Sequence, residues 1–368
     1  MSGVAIILGT RPEIIKMSPI IREYERRGDD YFILHTGQHY SYSMDRIFFE
    51  QLRLPDARYN LNVGSGLQGE QTGKMLGEIE QVLIDEKPHA VLVQGDTNTV
   101  LAGALAASKL HIPVGHVEAG LRSNDRRMPE EINRILTDHI SDYLFAPTVE
   151  SRKNLVHEGI PDEKVFVCGN TVVDALFQNL SISEEAIDPL SELGVRPDGY
   201  FLVTAHRQEN VDDARKLGDI LEGLERIADE YAMPAIYPMH PRARKMMERF
   251  GLKTEAVCCV EPLDYLSFLQ LEKHAGLILT DSGGVQEEAC ILRVPCVTLR
   301  ENTERPETVA AGANILVGTN PEMIVEGVRV MMERERTWAN PYGDGATGRR
   351  IVEILDSGRC CASGDGST

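Results

Sequence analysis

The sequence predicts an α/β protein made of two doubly wound, Rossmann-like halves. Short, continuously apolar runs rich in β-branched residues alternate with amphipathic helical patterns from end to end. The runs are apolar throughout rather than at every second position, as parallel strands covered on both faces are. The alternation is interrupted once, over residues 180–199, and then restarts.

In the first half, "VAIIL" (4–8), "YFILH" (31–35), "AVLVQ" (90–94), "IPVGHV" (112–117), "YLFAP" (143–147) and "KVFVCG" (164–169) read as buried strands. Helical patterns at 13–27, 67–87 and 97–110 lie between them, and repeated βαβ units wind such strands into one sheet. "MPEEINRILTDHISDYL" reads as a further helix whose apolar face is Ile132, Ile135, Leu136, His139, Ile140 and Tyr143. "LSISEEAIDPLSELGVRPDG" (180–199) has the Ser, Asp, Pro and Gly of a connection. The second half repeats the pattern with "YFLVTAH" (200–206), "PAIYPMH" (234–240), "AVCCV" (256–260), "GLILTD" (276–281), "PCVTL" (295–299) and "ANILV" (313–317). Two such sheets leave a central cleft between their carboxyl edges, where ligands are expected.

A length of 368 residues suits two domains of roughly 100–200 residues each. Hydrophobic content of 42% and charged content of 26% are those of a globular chain. A net charge of −19 argues against nucleic acid or an anionic membrane as partner, since both need clustered cations. A small anionic ligand stays open, because a few local cations dominate one site. "MSGVAIILGTRPE" has too short an apolar run, and no basic lead, for a signal peptide. No stretch approaches the roughly 18 apolar residues of a membrane span, so a cytoplasmic protein is expected. The seven cysteines show neither C-x-x-C nor zinc spacing, and read as reduced core thiols.

The polar residues at the strand ends carry the chemistry. "GTRPEIIK" places Arg11 at the first strand's edge, opens a helix at Pro12 and adds Lys16. Neither G-x-G-x-x-G nor G-x-x-x-x-G-K-[ST] is present, so neither a dinucleotide cofactor nor a P-loop is expected. Gly95-Asp96-Thr97 ends another strand, and Asp96 is either a helix N-cap or a functional acid. Glu118 ends the next strand, so both carboxylates project at one edge. Glu130 and Glu131 stand in a helix first turn, where acids also complement the helix dipole. In the second half, His206-Arg207 and His240 with Arg242 end successive strands and form a candidate anion site. "LILTDSGGVQEEA" (277–289) runs a strand into Asp281, Ser282, Gly283 and Gly284 and then a helix. Such a turn lets backbone N–H groups reach a phosphate, and an acid one turn further takes a ribose diol.

These stretches, with GHVEAGLR (115–122), PEEINR (129–134), CGNTVVDAL (168–176), HRQEN (206–210), TERPE (303–307) and NPYGDG (340–345), resemble the non-hydrolysing UDP-N-acetylglucosamine 2-epimerases, in that family's order over about residues 3–355. The resemblance implies a GT-B fold, a homodimer, and interconversion of UDP-GlcNAc and UDP-ManNAc. The route is elimination of UDP to a 2-acetamidoglucal and re-addition, with no cofactor and no metal. It implies a sugar-side domain over 1–170, a UDP-binding domain over 171–345, and a C-terminal helix in 346–368 packed back on the first domain, ending in a frayed tail. It implies Asp96, Glu118 and Glu131 as the acid/base set, with base and acid unassigned, and His206 as the group assisting at the diphosphate. Arg11, His240, Ser282, Gly283 and Gly284 then clamp the diphosphate, Glu288 takes the ribose, and Lys16 acts electrostatically. Many bacterial members carry "GQHREMLDQ" where this chain has "GQHYSYSMDRIF", longer by one residue and with Arg46 near the place of the second Gln. Gln38 and His39 remain as a candidate allosteric pair.

Two other readings share parts of this pattern. A GT-B glycosyltransferase has the same nucleotide half but needs an acceptor pocket, and has no obvious use for three acids around one sugar. A non-catalytic nucleotide-sugar sensor gives no reason for costly clustered carboxylates.

Overall fold

A computed structural model of the protein describes residues 3–38 and 42–362. The chain divides into two compact units, residues 1–178 with 342–368, and residues 179–341.

The first unit holds a parallel sheet of seven strands: β1 Val4–Leu8, β2 Tyr31–His35, β3 Tyr59–Asn60, β4 Ala90–Gln94, β5 Val114–Val117, β6 Tyr143–Ala146 and β7 Val165–Val167. Their order is β3-β2-β1-β4-β5-β6-β7. The second unit holds six parallel strands: β8 Phe201–Thr204, β9 Ala235–Pro238, β10 Val257–Val260, β11 Leu277–Thr280, β12 Cys296–Thr298 and β13 Asn314–Leu316, in the order β10-β9-β8-β11-β12-β13. β1, β4, β8 and β11 are buried along nearly their whole length, which is why their sequences read as unbroken apolar runs. Both sheets reverse direction once, at β1/β4 and at β8/β11. At such a switch point the loops leaving neighbouring strands part, and ligands bind in the gap. GTRPE and GDT leave β1 and β4; AHRQEN and DSGG leave β8 and β11.

The interruption expected over 180–199 begins later. Helix Thr171–Ala186 runs on into it, the division between the units falls inside that helix, and only a short helix, Pro189–Leu193, follows before β8. The two-residue strand β3 carries too little apolar sequence to be read. Helix Thr347–Ala362 packs on the first unit, where Gly348 donates its N–H to Asp174 Oδ1 at 3.0 Å.

Helix Pro129–Ile140 turns part of its apolar pattern outward, although Ile140 still packs on the core. Its buried residues are Glu131, Asn133, Thr137 and Asp138, while Ile132 is 41% and Leu136 47% exposed. His139, expected on the buried face, is exposed as well. Three of these four inward side chains find partners: Asn133 on the Asp96 carbonyl, Asp138 on His116, and Glu131 on the 123–124 backbone. Satisfied buried polar groups outweigh the simple period here.

Candidate active site

In the first unit the site is built on the loops after β1, β4 and β5. Glu118 follows β5 with φ +71°, a left-handed conformation that a non-glycine residue adopts at a cost. The kink turns its side chain back over the strand ends. Lys16 Nζ donates to Glu118 Oε1 at 2.6 Å, Asn170 Nδ2 donates to the same oxygen at 3.1 Å, and Gln94 Nε2 donates to Oε2. An 8%-exposed carboxylate is thus met by one cation and two amides.

Asp96 leaves β4 half-exposed. It is not the helix cap: Thr97 holds that position for helix Asn98–Lys109, accepting from Val100 N. Asp96 pairs instead with Arg134 Nη2. Arg134 Nη1 also donates to Glu131 Oε2 at 2.9 Å, giving a chain from Glu131 through Arg134 to Asp96. Glu131 accepts further bonds from Ser123 N and Asn124 N, each at 2.9 Å. Burial pushes its carboxyl upward, but these N–H groups and the Arg134 charge outweigh burial and hold it below the usual range.

Two buried groups lash these loops together. Glu13, at the third position of helix Arg11–Arg27, accepts from Gly9 N at 2.6 Å, Thr10 N at 3.1 Å and Thr97 Oγ1 at 2.5 Å. Burial pushes its carboxyl up to about 7, against the pull of those hydrogen bonds. His116, fully buried, sets Nε2 2.8 Å from the Gly95 carbonyl oxygen and Nδ1 2.7 Å from Asp138 Oδ1. The carbonyl only accepts, so Nε2 carries a proton. The loop of Glu118 is thereby tied to the loop of Asp96.

Of the other first-unit candidates, Arg11 opens its helix with the guanidinium 4.9 Å from the Phe48 ring centre. Gln38 is 5% exposed and braces the scaffold: its Oε1 accepts from Thr99 N and Oγ1, and its carbonyl accepts from Gln71. His39 lies outside the described residues.

In the second unit Asp281, fully buried at the end of β11, is the hub. It accepts from His206 N, Arg207 N and Asn210 Nδ2, and its Oδ1 lies 3.3 Å from His206 Nδ1. The His206 and His240 rings stand 6.2 Å apart. Burial, then the neighbouring His206 and Arg242, hold the His240 imidazole below its usual range, which favours the neutral ring. Arg242 turns away to pair with Asp212. Ser282 stands at the N-cap position of helix Gly283–Leu292, so the first-turn N–H groups at Gly283 and Gly284 lie at its positive end. His206, His240 and Ser282 line a pocket of about 260 Å³ that also has Pro262, Leu263, Phe268 and Val285 on its wall. Half-buried Glu288 neighbours fully buried Glu272, whose carboxyl is raised well above the usual range by burial and by that neighbour. The pocket therefore offers two imidazoles and a helix N-terminus to an anion, and an apolar wall to a flat ring.

In the first unit the structure brings Lys16 and Glu118 into one hydrogen-bonded cluster, and Asp96 and Glu131, through Arg134, into a second at the neighbouring strand end. In the second unit it brings His206, His240 and Ser282 into one pocket. Sequence reasoning missed Glu13, Gln94, His116, Arg134, Asn170 and the hub role of Asp281. The T-R-P-E spacing of a capping box signals Glu13, and the i,i+3 spacing from Glu131 signals Arg134. No local pattern signals Gln94 or Asn170.

Two parallel sheets of this order, with acids at one switch point and an anion pocket at the other, define a GT-B-type protein built for a nucleotide-linked substrate. The UDP-N-acetylglucosamine 2-epimerase family model matches residues 22–356, and the chain belongs to that family. It is 59% identical to a UDP-N-acetylglucosamine 2-epimerase of Methanocaldococcus jannaschii, over 97% of this chain and 99% of that one. A crystal structure of a UDP-GlcNAc 2-epimerase from that organism, in complex with UDP-GlcNAc and UDP, superposes with a TM-score of 0.86 over 96% of this chain and 99% of that one. The chain is also 46% identical, over 96% of its length and 99% of the relative's, to a UDP-2,3-diacetamido-2,3-dideoxy-D-glucuronate 2-epimerase of Pseudomonas aeruginosa. Membership of this family decides against the glycosyltransferase reading. Among the described residues, no helix is long and apolar enough to cross a membrane.

Proposed function

We propose that the protein interconverts UDP-GlcNAc and UDP-ManNAc at carbon 2. The observation that carries this is Glu118, a buried carboxylate at the end of β5, one strand from the β1/β4 switch point, held by Lys16, Gln94 and Asn170 while Asp96 ends the neighbouring strand.

Carbon 2 bears no adjacent carbonyl, so direct removal and return of its proton is very unfavourable. Breaking the C1–O bond removes that obstacle. A base takes the C2 proton, the C1–C2 double bond of 2-acetamidoglucal forms, and the C1–O electron pair leaves on UDP. Protonation of C2 from the opposite face, with attack of the UDP oxygen on C1, gives the epimer. Asp96 and Glu118 serve as the acid/base pair. Glu131, with its oxygens engaged by its own loop and Arg134, acts by orienting Arg134 toward Asp96. In the second unit His206, His240, Ser282, Gly283 and Gly284 hold the diphosphate and stabilise the charge it gains on leaving. Arg11, in the first unit, is a further candidate cation. Glu288 takes the ribose diol, and Phe268 and Leu263 supply the apolar wall for uracil.

The protein is a cytoplasmic homodimer in this reading. The outward apolar face of helix Pro129–Ile140, with Ile132 and Leu136 exposed, supports self-association. The sugar is the point on which relatives differ, given the diacetamido-glucuronate enzyme at 46% identity.

UDP-GlcNAc incubated alone in deuterated water should give UDP-ManNAc carrying deuterium at carbon 2. UDP-2,3-diacetamido-2,3-dideoxy-D-glucuronate in parallel should turn over far more slowly. No epimer and no deuterium would overturn the reading; preference for the diacetamido sugar would move the substrate. Light scattering should give twice the chain mass.

A further inference from the structure

Two motifs supply no acid, base or diphosphate ligand to this chemistry, the Cys168-Gly169-Asn170 turn and the Tyr342–Gly345 segment, yet the structure joins them inside the first unit. Gly169 has φ +91° and Gly343 φ +112°. A Cβ on Gly169 would stand 2.8 Å from Thr347 Oγ1 and 3.0 Å from the Tyr342 carbonyl oxygen, and one on Gly343 would stand 3.2 Å from Gly169 Cα. Neither position admits a side chain, and the backbones close directly on each other. Asn170 N donates to the Tyr342 carbonyl at 2.8 Å. Thr347 Oγ1 and Arg350 Nη1 donate to the Cys168 carbonyl at 3.1 and 3.2 Å. The start of the last helix therefore holds the 168–170 turn on the Cys168 side of Gly169, and the Tyr342 carbonyl holds it on the Asn170 side.

What this grip presents is the Asn170 amide, 3% exposed. Its Oδ1 accepts from Val172 N at 3.1 Å, which fixes which end of the amide faces the site. Its Nδ2 is then the end that donates to Glu118 Oε1 at 3.1 Å. We infer that Asn170 is a positioning residue for Glu118, aimed by the junction of the 168–170 turn with residues 342–350, and that the C-terminal segment thereby belongs to the catalytic apparatus.

The elements around Glu118 make the arrangement specific. Helix Arg11–Arg27 brings the charged donor Lys16; β4 brings the neutral Gln94; the 168–170 turn brings the neutral Asn170. Lys16 is a point charge with three rotatable donors and fixes direction poorly, whereas a planar amide pinned at its other end fixes it well. Asn170 thus selects the rotamer in which Glu118 meets the sugar.

The inference rests on the part Glu118 takes in the proposed epimerisation, and the test separates the two. Turnover, KM, UDP affinity and Tm are measured for wild type, Asn170→Asp and Asn170→Ala. The Asp variant keeps the shape and the Val172 contact but turns an acceptor toward Glu118. We expect kcat to fall about 10²-fold in N170D and about tenfold in N170A, with KM and UDP Kd within about threefold. N170D should lose more activity than N170A while keeping the higher Tm, an order that a merely structural role reverses. Wild-type turnover in both variants, or losses that follow Tm, overturns the inference and leaves the epimerase reading standing. A wild-type protein that makes no UDP-ManNAc overturns the reading itself.

Discussion

Lys16 Nζ lies 2.6 Å from Glu118 Oε1, joining the first helix to the end of β5 across 102 positions of sequence. Both side chains are largely withdrawn from water, 15% and 5% exposed, so the pair keeps Coulombic strength that a surface pair loses. Lys16→Met removes the cation that donates to Glu118 Oε1, while the Gln94 and Asn170 amides remain. Turnover of UDP-GlcNAc should fall on the order of 10²-fold, with UDP affinity by calorimetry within about threefold. Unchanged turnover would reduce the pair to scaffolding.

Asp96→Asn and Glu118→Gln should each retain UDP binding, lose roughly 10²–10⁴-fold in rate, and slow deuterium entry at carbon 2 in step with epimerisation. The isotope readout matters because a variant that exchanges deuterium but does not epimerise has lost only one of the two proton transfers.

Glu131→Gln should cost stability as well as rate, since Ser123 N, Asn124 N and Arg134 all converge on that carboxylate. The expected loss is about 1–3 kcal/mol, seen as several degrees in Tm, whereas Asp96→Asn should leave Tm almost unchanged. Because the native carboxyl is held below its ordinary value, its contribution is complete above the ordinary glutamate range and fades as pH falls through the native value. The Tm gap between wild type and E131Q should therefore narrow on acidification from pH 7 toward pH 4.

Glu13 should behave in the opposite sense. Its native carboxyl titrates at about 7, far above the ordinary value of 4.5, so between those two pH values the folded protein binds a proton that the unfolded chain releases. Stability from this group is complete below 4.5 and is lost as pH rises through 7. Glu13→Gln imitates the protonated form at all pH values, and its Tm relative to wild type should climb from pH 5 to pH 8. A flat difference across that window would remove the buried acid from the account.

Glu288→Gln should weaken UDP binding about tenfold or more, since the ribose diol needs an acceptor. Glu272→Gln, replacing a carboxyl that burial and the neighbouring Glu288 push well above its ordinary range, should leave UDP affinity within about threefold. Equal losses in the two variants would remove the specific ribose role from Glu288.

The sequence alone determined the α/β class, the two halves and nearly every buried strand, because strands covered on both faces need unbroken apolar runs. It also located Asp96, Glu118, His206 and the Asp281–Gly284 turn, because charge at a strand end is visible without a fold. Tertiary structure decided what those groups touch. Asp96 reads equally well as a helix cap until Thr97 takes that place and Arg134 pairs with the acid. Helix Pro129–Ile140 reads as apolar-face-in until buried partners for Glu131, Asn133 and Asp138 turn part of that face outward. Asn170 reaches Glu118 only because two glycines far apart in the chain let their backbones meet. Hydrophobic period is a property of neighbouring residues and can be read along the chain. The named donors to Glu118 come from 24, 52 and 102 positions away, and only the packed chain decides which of them meet.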